Sequence, residues 1–164
     1  MRDWLRALHD ELRERGQPVV RVVVATVRGS APREAGASML VTPDGQRGTI
    51  GGGHLEFVAI AIARDLLTAS APAPRVDRFS LGASLGQCCG GIVELWFQRY
   101  DRIDLPFLAR ALAGRECGEA EVIEGGRLHT RDTAIHEGAR GLDTLAAVLL
   151  PGPSGPRFYE SIRS

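Results

Sequence analysis

The sequence predicts a single mixed α/β domain, a mixed β-sheet flanked by helices. Three observations predict it: an almost unbroken β-branched run from Val19 to Val27, two segments with apolar residues at helical spacing, and glycine-rich loops set against strand-like stretches. The chain has 164 residues, 44% hydrophobic and 24% charged. That is the size and balance of one domain burying roughly 70% of its unfolded surface. The whole span 1–164 is read as one unit, with a core at 19–97 and a helix plus small β elements at 101–164.

Trp4, Leu5, Leu8 and Leu12 form one stripe, with Asp3 as N-cap and Gly16 as stop, so residues 3–15 are expected to form an amphipathic helix. Val19 to Val27 is interrupted only by Arg21 and the Ala25-Thr26 pair and reads as the central strand, covered on both faces. Residues 28–36 are too polar and too rich in Gly and Pro for a periodic element and are expected to be a functional loop. Strands at 37–41 and 46–50 flank Pro43-Asp44-Gly45, which suits a type I turn. Gly51-Gly52-Gly53 then opens a helix carrying Leu55, Val58, Ala59, Ile62 and Leu66 at helical spacing. Strands are expected at 75–81 and 92–97, around a second glycine-rich loop at 82–91. Asp104 caps a helix predicted to run to Leu112 and stop at Gly114. Beyond it the sequence reads as small β pieces: a hairpin about Gly125-Gly126, then strands at 144–150 and 157–162.

Charge narrows the function. Twenty cations balance twenty acids, so no global field draws the chain to nucleic acid or an acidic membrane surface. All twenty cations are arginine, which excludes Schiff-base lysine chemistry and a P-loop lysine from this chain. Three cysteines, two adjacent, do not make a secreted disulfide framework, and the sequence shows no signal peptide or long apolar run. The expected compartment is the cytoplasm.

Several residues can carry chemistry. A helix opening on Gly51, Gly52 and Gly53 offers unpaired N–H groups and a positive dipole end to an anion, though it is neither a Walker A nor a dinucleotide motif; a plain strand-to-helix turn is the alternative. His54, in the first turn, is expected to be neutral and able to donate or ligate. Glu56 complements the dipole, or does acid–base work. Arg33, between Pro32 and Glu34, can grip phosphate or carboxylate through its fork, whereas Arg28 and Arg47 read as solvated strand-end charges. Cys88 and Cys89, within Gly86 to Gly91, either meet a ligand or pack a tight turn; their spacing does not make structural zinc. Cys117 is expected to be structural, and His129 and His136 to be exposed. Ser30 and Ser84 lack a nucleophile elbow.

Three ordered motifs resemble those of the xanthine dehydrogenase accessory protein family (XdhC/CoxI type). They are Gly29-Ser30-Ala31-Pro32-Arg33 with Gly36 and Met39, Gly48-Thr49-Ile50-Gly51-Gly52-Gly53-His54-Leu55-Glu56, and Leu85-Gly86-Gln87-Cys88-Cys89-Gly90-Gly91. The broader family often has cysteine where His54 stands, and the GGGHLE version resembles the branch serving xanthine dehydrogenase. Family members commonly continue into a Rossmann-like domain, which the 164 residues are expected not to include; residues 157–162 resemble the strand preceding it.

The resemblance implies a chaperone rather than a turnover catalyst. Such a protein binds molybdenum cofactor (molybdopterin), protects it, presents it to a cysteine desulfurase for sulfuration, and helps insert it into a xanthine dehydrogenase-type enzyme. The implied cofactor-binding residues are Ser30, Arg33, Gly51, Gly52, Gly53, His54, Glu56, Gln87, Cys88, Cys89 and Gly90, with Cys88 or Cys89 near molybdenum. Phosphate, pterin edges and a soft dithiolene suit a glycine-framed helix start, an arginine and thiols. A homo-oligomer is compatible with this reading. The alternatives are a Cys-dependent sulfur-transfer or redox protein and a nucleotide-responsive interaction module.

Overall fold

The structure, a computed structural model, describes residues 3–82 and 90–163. It contains α1 (Trp4–Arg15), β1 (Val19–Arg28), β2 (Ser38–Val41), β3 (Gln46–Gly48), α2 (Gly53–Thr68), β4 (Arg75–Ser80), β5 (Ile92–Tyr100) and α3 (Leu105–Cys117). These are followed by β6 (Val122–Glu124), β7 (Arg127–His129), α4 (Arg131–His136), β8 (Ala147–Leu150) and β9 (Arg157–Ser161). The mixed α/β class holds, but in place of the one mixed sheet expected the strands make two sheets, ordered β3-β2-β1-β5-β4 and β7-β6-β9-β8, in which all the strand pairs are antiparallel.

The expected centre is where it should be: β1 lies between β2 and β5, and its first seven residues are buried. Period-2 alternation sends Val20, Val22 and Val24 to one face, where they meet Met39, Val41, Leu95, Phe97 and the Leu55–Ala59–Ala63 stripe of α2. Val19 faces the other way, beneath Leu5, Leu8 and Leu12 of α1 and Leu108 and Leu112 of α3. Val23 and Ala25 share that face and pack under Trp96, Ala147 and Phe158, the last two from the second sheet. Burying a Val or Leu side chain contributes about 1.5–3 kcal/mol, so these three-way contacts hold the layers together. A bulge at Ala25 shifts the β1–β5 register between Val24 and Thr26, and the pairing then runs on to Arg28 opposite Ile92.

Asp3 caps α1 by accepting from the Arg6 N–H, and Gly16 ends it in the left-handed region, both as read from sequence. The hairpin turn closes through Thr42 N–H to the Gly45 carbonyl at 2.9 Å. Helix α3 departs from expectation: it passes through Gly114 and stops at Gly118 (φ 78°). Gly114 is needed for packing instead, because a Cβ there would fall 2.7 Å from Ala120 Cβ, while its carbonyl accepts from the N–H groups of Glu119 and Ala120. The stretch read as β pieces contains α4, capped by Thr130, and a 3-10 turn at Arg140–Asp143.

His129 is also corrected. It is buried, not exposed, because the β6–β7 pairing sets it opposite Val122, beside the Tyr159 ring at 6.1 Å. His136 is exposed, as expected; Cys117, read as structural, is exposed too, with its Sγ donating to the Gly114 carbonyl.

Arg21, the one charge in the β-branched run, is 2% exposed and lies between the two sheets. Its guanidinium makes a bidentate pair with buried Glu160 of β9, reaches Ser38 Oγ, and stacks on Trp4 at 3.5 Å from the ring centroid. Removing one partner of such a pair strands a desolvated charge. Glu160→Ala is therefore expected to lower the unfolding free energy by about 3–5 kcal/mol, measured by urea denaturation, whereas the paired Arg21→Met/Glu160→Leu exchange regains most of it. Equal losses in the single and paired variants would contradict this role.

Candidate functional site

The exits of β1 and β3, the start of α2 and the entrance of β5 gather at one end of the first sheet. After Arg28, Gly29 turns with φ 72°, and Ser30 makes a parallel bridge to Gly90, two residues before β5. A side chain on Gly91 would collide with the Ser30 carbonyl, so the β1 exit and β5 entrance pass at backbone contact only because of that glycine. Pro32 then lies against Gly51, where any Cβ would collide with the proline ring. Arg33 Nη1 donates to the Thr49 carbonyl at 3.4 Å, from the loop to the residue that precedes the glycine turn.

That turn uses backbone only glycine adopts freely: φ is 117°, 75° and 68° at Gly51, Gly52 and Gly53. Among the described residues, nothing lies within 4 Å of a Cβ built on Gly52.

Glu56 organises the turn from within. Its Oε1 accepts from Thr49 Oγ1 at 2.5 Å, the Ile50 N–H at 2.9 Å and the Gly52 N–H at 3.3 Å, while Oε2 accepts from Gln46 Nε2. The Gly51 N–H donates to Thr49 Oγ1. The amides of 50–52 are thus turned inward, and the donors left for an anion are those of the first helical turn, beginning at Gly53 and His54. Burial pushes the Glu56 carboxyl up, but the donors from Thr49, Ile50, Gln46 and Gly52 together outweigh it and hold the group below its ordinary value.

His54 is exposed on the outer face of α2 and stacks with Phe57, ring centroids 6.0 Å apart. Phe57 is 69% exposed beside the turn. Sequence reasoning passed over it because it lies off the Leu55, Val58, Ala59, Ile62 and Leu66 stripe. Arg33 is the cation of this end, and its contacts to Glu34 and Thr49 are long, at 3.3–3.4 Å, so its fork is loosely held. Arg28 and Arg47 are exposed, as expected.

The structure therefore brings Ser30, Arg33, Gly51, Gly52, Gly53, His54, Glu56 and Gly90 to one sheet end. Gln87, Cys88 and Cys89 lie outside the described residues. Among the described residues no group of three or more His, Cys, Asp or Glu could hold a metal ion, and no helix is long and apolar enough to cross a membrane.

Fold and site together define a small two-sheet α/β domain whose glycine-bearing loops converge at one edge of its larger sheet. Residues 12–80 match the model of the XdhC and CoxI family, a stretch holding the first two motifs in full, and the recognition read from those motifs holds there. Among solved structures, the chain superimposes with a TM-score of 0.65 on a protein described as a xanthine dehydrogenase from Bacillus halodurans. Identity is 23%, and the match covers 98% of this chain and 42% of that one, so the likeness is one of fold. The chain spans less than half the length of that protein. No curated protein matches.

Because the folded Glu56 carboxyl lies below its unfolded value, it contributes stability above about pH 4.5 that is lost as pH falls through the lower folded value. Amide exchange at Ile50 and Gly52 is expected to accelerate, relative to β1 amides, over that acid window. In Glu56→Gln those two amides should exchange fast at neutral pH as well; exchange insensitive to both pH and substitution would remove Glu56 from this role.

Proposed function

We propose that this domain binds molybdenum cofactor at the Ser30–Arg33 and Gly51–His54 end of its first sheet and serves the maturation of a molybdenum hydroxylase. The observation that carries the reading is the packing of Pro32 on Gly51 and the bridge from Ser30 to Gly90, which join segments of three separate family-like motifs into one surface. The family match over residues 12–80 supports it.

The residues present fit the group. Arg33, held only by long contacts, is the natural partner of the cofactor's phosphate, with the first-turn amides at Gly53 and His54 as further donors. The glycine backbone lets a bulky ligand approach without side chains in the way. Glu56 does not meet the ligand: it positions the turn, and its negative charge makes Arg33 necessary for an anion to settle there. The cofactor, when bound, supplies the molybdenum and dithiolene chemistry of the client. The domain's residues hold it, orient it and limit solvent access. We infer further that presentation to a cysteine desulfurase for sulfuration and insertion into a xanthine dehydrogenase-type client follow from this holding role.

Anaerobic co-purification tests the reading, with molybdenum and pterin measured per folded protein. Both are expected at a common stoichiometry. Arg33→Ala should weaken retention by about 1.5–3 kcal/mol, the worth of a charged hydrogen bond, with an unchanged fold, and Arg33→Lys should recover only part because the fork is lost. Folded wild-type protein carrying neither molybdenum nor pterin after expression in a cofactor-producing host would overturn it.

A further inference from the structure

On the other side of the Arg33 loop lies a cavity of about 220 Å³ that the cofactor reading does not use. We propose that it binds a small oxyanion, the carboxylate or phosphate group of a small molecule, and that it shares Arg33 with the glycine turn; only that sharing rests on the cofactor reading.

Four elements wall the cavity: the start of α1, the loop 33–37, the end of α3 and the exit of β9. The loop is pressed onto the second sheet, since a Cβ on Gly36 would fall 2.6 Å from Ala146 Cβ, and this contact closes one wall. Three arginines line it, Arg33, Arg115 and Arg163, together with the acids Asp3, Glu34 and Glu160. Each arginine has a carboxylate partner: Arg115 grips Asp3 at 2.9 and 3.0 Å, Arg163 binds Glu121, and Arg33 touches Glu34. Glu160, at the back, is matched by Arg21.

The pairs are not equivalent. A guanidinium carries about five N–H donors in a fixed fork, and one carboxylate takes two, so Arg115 and Arg163 have donors to spare. The Arg33–Glu34 contacts are 3.3 and 3.4 Å, and the Glu34 side chain is 74% exposed, so Glu34 is displaced into water at little cost. An incoming oxyanion replaces it on Arg33 with shorter charge-assisted bonds and takes a spare donor from Arg163 and Arg115. The volume holds several waters, enough for phosphate or a small carboxylic acid.

Occupancy would have a consequence on the far side of the loop. Arg33 drawn into the cavity leaves the Thr49 carbonyl, beside the hydroxyl that anchors Glu56. One guanidinium cannot serve an anion in the cavity and a phosphate at the glycine turn together.

The test is a titration of ¹⁵N-labelled protein with sodium phosphate and, separately, sodium acetate, each against sodium chloride at matched ionic strength. Saturable shifts are expected at the Trp4 and Ser161 amides with an oxyanion and not with chloride. Tighter phosphate marks a phosphate-bearing ligand, tighter acetate a carboxylic acid. Arg163→Gln, at an exposed position, should weaken binding about tenfold, as loss of one charged hydrogen bond does, and Arg163→Lys should restore part. The same Arg163→Gln protein should retain molybdenum and pterin as wild type does, so failure here and failure of the cofactor reading are told apart. No saturable shift up to on the order of 50 mM, an affinity too weak for a specific site, or shifts unchanged by Arg163→Gln, would overturn the proposal.

Discussion

The buried pair between Arg21 and Glu160 is the constraint on which the arrangement of the domain depends. It is the polar tie across an otherwise apolar contact between the central strand of one sheet and an inner strand of the other. Two desolvated charges are tolerated only where geometry is well matched; here Ser38 takes a further donor and the Trp4 ring stacks on the guanidinium, while among the described residues Arg21 Nε has no hydrogen-bond partner. The pair fixes β9 over β1 in one register. That register sets Ala146 against Gly36, and so decides where the Arg33 loop can lie.

From that placement the functional end follows by contact. The loop leaving β1 cannot spread toward the second sheet, so it folds over the start of α2, with Pro32 on Gly51. Glycine at 51, 52 and 53 then serves two needs at once: left-handed backbone for the turn, and an absence of side chains where the loop crosses. Glu56 anchors the turn from beneath. Arg33 is left with long contacts only, to Glu34 and to the Thr49 carbonyl, between the glycine turn and the cavity behind it.

Much of the first sheet was legible because its signals are strong and local. β-branched density marked β1, the Pro43-Asp44-Gly45 turn fixed the hairpin, and the Leu55–Leu67 periodicity marked α2. The second half was harder. β6 and β7 have three residues each and α4 six, too short for periodicity, so α4 was not assigned from sequence. His129 was misread because its neighbours are polar, while its burial comes from a strand pairing distant in sequence. Arg21 looked like an interruption because its partner stands 139 residues away. At the site, the glycines and Arg33 were recognisable by type, but the inward engagement of the Ile50–Gly52 amides depends on the Glu56 rotamer, which spacing does not reveal.

The central claim, one ligand surface made by the Arg33 loop and the glycine turn, is tested most directly by hydrogen–deuterium exchange on cofactor-loaded and cofactor-free protein under anaerobic conditions. The account predicts protection on loading in two stretches, 28–36 and 48–57, and unchanged exchange at the Gly125-Gly126 turn of the second sheet. Protection confined to the second sheet, or to only one of the two stretches, would contradict it.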